Sequence, residues 1–260
     1  TNPEATMKLL AISDLREAFD YIDRLPEVVQ EARIDAVLFA GEILQAEARK
    51  AEWERAVREQ RLPDRARPEV VEERKNDAES LMTFFRRLNT IGVPVYVIPG
   101  RNDAPERFFM QAAFNSEIVT PHVHMVYRSF APLGGRYMVA GFGGEVTVEA
   151  RDHEFFLRYP GWEAIFSLDF LRHLDPPKIL LFYTAPSDRF EEPADQSGPA
   201  AVAHLIKTYD PHFVVCAGVG GRKEKKQLGN TLVVFPGSLA EGDYAIIDTR
   251  EKEVAFGNLR

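Results

Sequence analysis

Apolar, strand-like runs alternate with helical segments through the first hundred residues of this chain. The runs lie at residues 8–13, 36–40 and 93–98, and a helical stretch from about residue 17 to 33 separates the first two. Parallel strands need crossover connections, so the alternation favours a layered α/β domain with a substantially parallel sheet. Functional side chains in such sheets collect at the carboxyl ends of the strands. The loops after the three runs are therefore the first candidates for a functional site.

A long charged segment, residues 43–90, separates the second run from the third. Pro63 and Pro68 divide it into two helices. The first, residues 45–60, is rich in Glu and Arg and is interpreted as a solvated helix with i,i+4 ion pairs. A protruding arm for dimerisation, or a lid over the cleft, is the alternative. The second helix carries an apolar stripe, which predicts that it packs on the core.

The rest of the chain continues the α/β pattern. The pattern predicts two or three strands within 122–144, a helical region from Phe155 and Phe156 to about 171, and a strand at 179–183. It then predicts a helix at 200–209 and a strand at 213–216. The last three runs, at 231–235, 244–248 and 254–257, are predicted to form a terminal antiparallel set. Residues 7–260 are expected to form a single domain that includes the 43–90 segment. Residues 1–6 (TNPEAT) are interpreted as a tag remnant or a disordered N-terminus.

Composition limits the classes of partner. The chain is 45% hydrophobic and 28% charged, and its formal net charge of −8 argues against bulk attraction to nucleic acid or to an anionic membrane. No stretch approaches the ~18 consecutive apolar residues of a membrane span. No signal sequence is recognised, so we expect a cytoplasmic protein. The single cysteine, Cys216, lies in an apolar run and is expected to be a buried thiol.

Glycine and polar residues follow each of the first three strand-like runs. The loops read Asp14-Leu15-Arg16, Gly41-Glu42 and Gly100-Arg101-Asn102-Asp103. Asp103 and Pro105 are expected to begin a helix, as its N-cap and an early helical residue. If the three strands are parallel neighbours, these loops meet at one edge of the sheet.

The order of these motifs resembles that of the calcineurin-like metallophosphoesterases, in particular an Icc-related branch with a charged helical segment after the second motif. Six family motifs have counterparts here in the same order. D-x-H corresponds to Asp14-Leu15-Arg16, G-D to Gly41-Glu42, and G-N-H-D/E to Gly100 to Asp103. The histidine of an H-x-P context corresponds to Thr184, G-H-x-H to Gly218 to Gly221, and N-P-G-S to Phe235 to Ser238. The resemblance covers nearly the whole chain. It implies a four-layer α/β/β/α sandwich, two packed sheets flanked by helices, with a helical insertion at 43–90.

The resemblance also implies a site for two divalent cations, most of whose ligands are replaced here. The family's histidines correspond to Arg16, Asn102, Thr184, Val219 and Gly221. Arginine has only donors and keeps its charge, so it does not ligate a cation. Asp14, Glu42 and, as a weak third, Asn102 remain candidate metal ligands, and Asp103 is a further catalytic candidate. Such oxygen ligands suit Mn²⁺ or Mg²⁺ better than zinc.

Two arrangements would take the place of the cations. In the first, Arg16 and Arg101 neutralise the carboxylates of Asp14 and Glu42 through charge-assisted hydrogen bonds. In the second, a cationic, glycine-rich pocket binds a phosphate-bearing ligand without hydrolysis, through Arg16, Arg101, Thr184, Arg222 and Lys223. The alternative for residues 222–226 (RKEKK) is a solvated charged turn.

Three functions stay open at this point. The leading interpretation is a phosphoesterase-family protein with a remodelled site, either non-catalytic or binding an anionic, phosphate-type ligand, for which no tightly held cofactor is expected. The second is a metal-dependent phosphoesterase that uses Asp14, Glu42, Asn102 and Asp103 with one weakly held Mn²⁺ or Mg²⁺. The third is a scaffold that forms a homo-oligomer through residues 45–60.

Overall fold

A computed structural model of the chain describes residues 6–149, 151–190, 192–217 and 220–260. Within these residues, two six-stranded sheets pack face to face and helices cover them, which gives the four-layer α/β/β/α sandwich. Both sheets contribute to one continuous apolar core. The interpretation of residues 1–6 falls almost entirely outside the described residues.

The first sheet comes mostly from the N-terminal half of the chain. Its strands are, in spatial order, Glu253–Asn258 (β14), Asp243–Asp248 (β13), Lys8–Ile12 (β1), Ala36–Phe39 (β2), Val95–Val97 (β3) and Val123–Met125 (β4). The strands β1 to β4 are parallel, and continuous apolar sequences such as that of β2 are typical of strands covered on both faces. β13 runs antiparallel to β1 and adds the C-terminal hairpin to this sheet.

The second sheet contains, in spatial order, Lys223–Leu228 (β11), Thr231–Pro236 (β12), Phe213–Cys216 (β10), Lys178–Phe182 (β9), Tyr137–Phe142 (β6) and Phe130–Leu133 (β5). The prediction that residues 231–235 belong to a terminal antiparallel set with 244–248 and 254–257 is wrong, because β12 lies in this sheet, parallel to β10. Residues 222–226 do not form a solvated turn either. Most of them belong to β11, which pairs antiparallel with β12 at the sheet edge.

Helices connect the strands and form the outer layers. They are Leu25–Ala32 (α1), Glu47–Arg58 (α2), Pro68–Leu88 (α3), Glu106–Val119 (α4), Gly161–Ser167 (α5) and Gly198–Tyr209 (α6), with short 3-10 helices at Phe19–Arg24, Asp169–His173 and Leu239–Glu241. A small parallel pair, Glu145–Thr147 (β7) and Arg158–Pro160 (β8), lies beside α6. The prediction of a helix at Phe155 and Phe156 is wrong. The Asp152 carboxylate accepts hydrogen bonds from both their amides and fixes a loop before β8.

The prediction that residues 45–60 form a solvated helix is also wrong. Arg49 and Glu52 of α2 are only 0% and 1% exposed, and Trp53 packs edge-on against Phe156 with ring centroids 5.4 Å apart. One face of α2 therefore packs against the rest of the protein instead of facing water. Assembly through residues 45–60 stays a prediction, and it concerns the exposed face of the helix.

The core contains the apolar groups that the sequence places there. The stripe of α3 packs on the first sheet, where the ring centroids of Phe84 and Phe39 are 4.9 Å apart. Cys216 is fully buried, and burial raises the pKa of its thiol. None of the helices in the described ranges is both long and apolar enough to cross a membrane.

Candidate functional site

The loops that follow β1, β2 and β3 meet at the carboxyl edge of the first sheet. The amide of Asp14 donates to the carbonyl of Gly41 at 2.9 Å, and the amide of Arg16 donates to the carbonyl of Glu42 at 3.1 Å. Gly41 has a φ of +99°, and a Cβ there would lie 2.7 Å from the amide nitrogen of Gly100. Glycine alone allows this approach. The three loops predicted from the sequence therefore form one contiguous surface.

Three residues of these loops have left-handed backbone conformations. The φ angles of Asp14, Arg16 and Glu42 are 54°, 47° and 70°. Such conformations cost on the order of 1–3 kcal/mol each for non-glycine residues and cluster at functional sites. The C-terminal Pro-Gly-Ser loop holds the first of them, since the Ser238 hydroxyl and the Ala240 amide donate to the Asp14 carbonyl at 3.2 and 3.0 Å. The surrounding structure thus maintains a strained loop at this position.

A cavity of 340 Å³ opens beside these loops. Its lining includes Asp14, Arg16, Arg101, Glu145, Tyr183 and Thr184. The loops after β1 and β3 contribute from the first sheet, and the loop after β9 contributes from the second. The cavity therefore brings together candidates from three separate sequence motifs. The Thr184 hydroxyl oxygen also accepts a hydrogen bond from the amide of Val146 at 2.8 Å, which fixes its position.

Arg222 and Lys223 lie apart from this group. Neither is among the described residues that line the cavity. The guanidinium of Arg222 lies over the Phe235 ring, 5.0 Å from its centroid, and Nζ of Lys223 is 3.0 Å from a carboxylate oxygen of Asp243. The predicted cationic pocket therefore contains Arg16 and Arg101 without this second pair, because Arg222 packs on Phe235 of β12 and Lys223 pairs with Asp243 of β13.

Both carboxylate oxygens of Asp14 have protein partners. Nη2 of Arg16 lies 3.1 Å from Oδ1, and the Ser13 hydroxyl donates to Oδ2 at 2.9 Å. Burial raises the pKa of Asp14, while the positive charge of Arg16 and these two hydrogen bonds oppose that rise. Arg16 thus places a positive charge beside the buried Asp14 carboxylate.

Glu42 and Asp103 are neighbouring carboxyl groups that are both buried. Burial and the neighbouring Asp103 carboxylate raise the pKa of Glu42 to about 8, although the amide of Asn102 donates to Oε2 of Glu42 at 3.0 Å. Burial raises the pKa of Asp103 as well, to about 6, and three backbone amides oppose this rise. At neutral pH the two carboxyl groups are therefore expected to hold about one proton between them.

Asp103 is not the N-cap of a helix. α4 has Pro105 at its N-cap position and no side-chain cap. The Asp103 carboxylate instead accepts hydrogen bonds from the amides of Gly100, Ile43 and Leu44 at 2.6, 2.8 and 2.9 Å. It therefore joins the loop after β3 to the loop after β2.

Arg101 pairs with a carboxylate other than Glu42. Its Nε lies 3.1 Å from Oε2 of Glu145 on β7, and its guanidinium lies 4.2 Å from the centroid of the Phe156 ring. Only the Arg16–Asp14 half of the predicted four-residue ion-pair cluster is therefore present among the described residues. β7 offers Arg101 an accessible carboxylate, whereas Glu42 is buried.

Comparison with known proteins agrees with this architecture. Residues 4–259 match the family model described as metallophosphoesterase, calcineurin superfamily.

The chain belongs to this superfamily.

One solved structure is 34% identical, with a TM-score of 0.87, and the match covers 98% of this chain and 100% of that one. The structure of TT1561 of Thermus thermophilus is 30% identical, with a TM-score of 0.81 and coverage of 98% and 100%. A dimetal phosphatase from Danio rerio is 8% identical, with a TM-score of 0.59 and coverage of 98% and 99%, which shows the fold alone. No curated protein is significantly similar to the chain.

Several candidate metal ligands of this calcineurin-superfamily chain already have partners within the protein. In the part of the chain that the structure describes, no three His, Cys, Asp or Glu side chains lie together as a metal ion requires. The oxygens of Asp14 and Asp103 already accept hydrogen bonds from protein donors. Gly220 and Gly221 bring no side chain, and the prediction for Val219 lies outside the described residues.

Asn102 differs from the other candidate ligands of this metallophosphoesterase fold. Its Oδ1 is buried and has no hydrogen-bond partner among the described residues. Its Nδ2 donates to two backbone carbonyls, those of Leu44 and Gln45, at 3.3 and 3.0 Å. The side chain is therefore held with one acceptor unused.

Sequence reasoning missed four residues that shape the site. Tyr183 and Glu145 line the cavity, Lys50 of α2 places its charge near Glu42, and Arg49 donates to the carbonyl of Asn102. Tyr183 directly precedes the motif position Thr184, and Glu145 directly follows a glycine cluster, so adjacency to a motif was the available signal. Arg49 and Lys50 lie in a charged helix and had no local signal of this kind.

Proposed function

We propose that this chain is a calcineurin-superfamily protein that binds a phosphate-type anion in the 340 Å³ cavity and does not hydrolyse phosphoesters. The observation that carries the proposal is that Arg16 and Arg101 line the same cavity as Thr184. A guanidinium is a planar fork of donors that matches a phosphate group, and it cannot serve as a metal ligand.

Each guanidinium keeps donors for a ligand. Arginine has five N–H donors. Among the described residues, Arg16 has one carboxylate partner, Asp14, and Arg101 has one, Glu145. The two arginine side chains are 45% and 32% exposed, so a ligand in solution can reach both. The carboxylate partners also orient the guanidinium groups in advance, which reduces the entropy lost on binding.

Neutral donors and one further positive charge support the same ligand class. The Thr184 hydroxyl accepts a hydrogen bond from a backbone amide, so its own proton is available to a ligand. Burial raises the pKa of the Tyr183 hydroxyl well above its usual value, so this group remains a donor. Lys50 adds positive charge close to the buried Glu42.

Replacing Arg101 with methionine is expected to raise the dissociation constant for inorganic phosphate about 10- to 100-fold. A hydrogen bond to a charged group contributes about 1.5–3 kcal/mol, and the substitution removes that contribution while keeping the apolar stem. Isothermal titration calorimetry at low ionic strength measures the effect, since salt would screen it.

Arg87→Met is the matched control. The Arg87 side chain is 33% exposed, pairs with one carboxylate, that of Asp23, and lies over the Phe19 ring, which reproduces the setting of Arg101 on another face. Its substitution is expected to leave phosphate binding within about twofold of wild type. Equal losses in both variants, or no phosphate binding by the wild type at millimolar concentration, would contradict the proposal.

The unused Oδ1 of Asn102 favours a second candidate, a phosphoesterase with a single hard cation. Asp14, Glu42 and Asn102 would hold the ion, which would polarise a phosphoryl oxygen. The remaining described ligands already bind protein donors, so we expect far fewer than one Mn²⁺ per chain after dialysis against MnCl₂ and then buffer.

Elemental analysis separates the two candidates. About one ion per chain, lost in Asn102→Ala, together with Mn²⁺-stimulated turnover of a chromogenic phosphodiester that is lost in Asp14→Ala, would establish the second candidate. About two ions per chain would indicate ordinary two-metal chemistry. Either result would refute the non-hydrolytic proposal.

A further inference from the structure

Exposed apolar side chains gather on the part of the surface formed by α4 and α5. Trp162 and Phe166, one turn apart on α5, are 66% and 76% exposed. Phe114 and Ile118, one turn apart on α4, are 49% and 84% exposed. Residues one turn apart share a helix face, so each pair forms a short stripe. These four residues, with Arg128 between them, are called the α4–α5 face below.

Two cavities show that the stripes border one another. A cavity of 610 Å³ is lined by Met110 and Phe114 of α4 together with Arg128. A second cavity, of 630 Å³, is lined by Arg128 together with Trp162 and Phe166. Because Arg128 lines both cavities, Phe114 of α4 borders the same surface as Trp162 and Phe166 of α5.

The exposed apolar area of this surface is comparable to that of the apolar centre of a protein–protein interface. A fully exposed aromatic side chain presents roughly 150–250 Å², so Phe114, Trp162 and Phe166 at their observed exposures offer about 400 Å² in total. Ile118 adds to this area. A standard interface buries about 800 Å² per partner around an apolar centre. An apolar area of this size is that of the largest patch on a typical monomer, and such patches are often functional.

Charge favours a second copy of this chain as the occupant. The net charge of −8 makes two copies repel one another over most of their surface. At the α4–α5 face, positive and negative groups balance: three arginines are paired with three glutamates, namely Arg107 with Glu154, and Arg128 and Arg151 with Glu106 and Glu163. Two copies therefore meet at this face without like-charge repulsion, whereas an anionic membrane or nucleic acid finds no excess positive charge there.

Shape points to the same occupant. A two-fold interface uses one patch twice, so the patch must contain both a protrusion and a recess. Trp162 and Phe166, 66% and 76% exposed, provide aromatic side chains for insertion, and the 610 Å³ cavity, with Met110 and Phe114 in its wall, provides a recess of the size that accommodates a small molecule. We propose that the α4–α5 face is a homodimer interface in which an aromatic side chain of α5 from each protomer enters the 610 Å³ cavity of the other.

Sedimentation velocity on the full chain, from about 1 to 100 μM, tests this proposal. The wild type is expected to sediment as a dimer in the upper part of this range. Trp162→Ser/Phe166→Ser is expected to raise the dimer dissociation constant at least tenfold, because buried aromatic residues dominate interface energy. Ile118→Glu, on the other helix of the face, is expected to act in the same direction. All three side chains are largely exposed, and unchanged thermal unfolding of each variant at low concentration verifies its fold.

Val57→Ser/Leu62→Ser is the matched control. These apolar side chains are 65% and 88% exposed and lie in and just after residues 45–60, the segment that the sequence nominates for assembly. The control is expected to leave the dissociation constant unchanged. A wild type that stays monomeric at 100 μM overturns the proposal. The proposal is also overturned if the Val57/Leu62 variant is monomeric while the Trp162/Phe166 variant remains dimeric. That result would place the interface on α2 instead.

Discussion

Replacing Arg49 with methionine is expected to lower the free energy of unfolding by about 3–5 kcal/mol, the range for breaking a buried ion pair by removing one partner. The Arg49 side chain is 0% exposed. Its guanidinium pairs with Glu73 and Asp77 of α3 at 3.0 and 2.7 Å. It also donates to three backbone carbonyls, those of Asn102, Ala104 and Phe155. Methionine fills the space but removes the guanidinium donors of Asp77 and of the three carbonyls, while Glu73 keeps the backbone amides of Ala48 and Arg49 as donors.

Arg55→Met on the same helix is the control for helix propensity and loss of charge. The Arg55 side chain is 39% exposed and lies 3.8 Å from a single carboxylate, that of Glu52. Because the guanidinium of Arg55 is partly in solvent and Glu52 also pairs with Arg61 and Arg67, the loss of this long pair is expected to cost between 0 and about 1 kcal/mol. Urea unfolding measures both variants. A loss in Arg49→Met no larger than that in Arg55→Met would mean that Arg49 does not hold α2 and α3 to the loop of Asn102.

The loss in Arg49→Met is also expected to depend on pH. Burial raises the pKa of Asp77 to about 7 in the folded wild type, although Arg49 opposes the rise. Without Arg49 the folded-state pKa rises further above the unfolded value of about 3.9. A carboxyl with a raised folded pKa gives stability that is present at low pH and is lost as pH rises through that pKa. The variant should therefore lie closer to wild type at about pH 5.5 than at about pH 8.

The sheets were predictable because their signal is local. β2 (Ala36–Phe39) and β10 (Phe213–Cys216) are continuous apolar runs between turns, which is how buried parallel strands are encoded. The position of each strand within the sheets, in contrast, is not specified by the local sequence of the strand. The run at 231–236 is mostly apolar, as β10 is, and nothing in it specifies that it pairs with β10 in the second sheet instead of with the C-terminal hairpin. Strand partners are set by tertiary packing.

The burial of charged residues could not be predicted from the local sequence either. Arg49 and Glu52 look like surface residues among other Glu and Arg side chains, and only their helical spacing with Trp53 and Ala56 marks the buried face of α2. At the site, the motif order identified the loops that meet, but partner choice depended on groups far along the chain. Arg101 lies with Glu145 because β7 packs beside its loop. No spacing rule in the sequence predicts such a contact.

Asp103 is a further residue whose hydrogen-bond partners could not be predicted from the sequence. Its substitution is the second change for which we expect a large effect. Its spacing to Pro105 suggests a helix cap, yet two of its three partners, the amides of Ile43 and Leu44, come from about sixty residues earlier in the chain. Asp103→Ala is expected to lower the free energy of unfolding by about 4 kcal/mol, because three fully buried amides lose their acceptor at about 1–3 kcal/mol each. Urea denaturation monitored by circular dichroism measures the loss.

Asp103→Asn divides this effect into its parts. One amide oxygen can still accept from Ile43 and Leu44, but the NH₂ group would face the Gly100 amide, donor against donor, so a loss of about 2 kcal/mol is expected. Asp64→Asn is the control, since Asp64 accepts from the Ala66 amide in an exposed loop and its substitution should cost well under 1 kcal/mol. Both Asp103 variants should also weaken phosphate binding, because this carboxylate fixes the loop of Arg101 against that of Glu42. A stable Asp103→Ala protein with unchanged phosphate affinity would show that the two loops keep their arrangement without it.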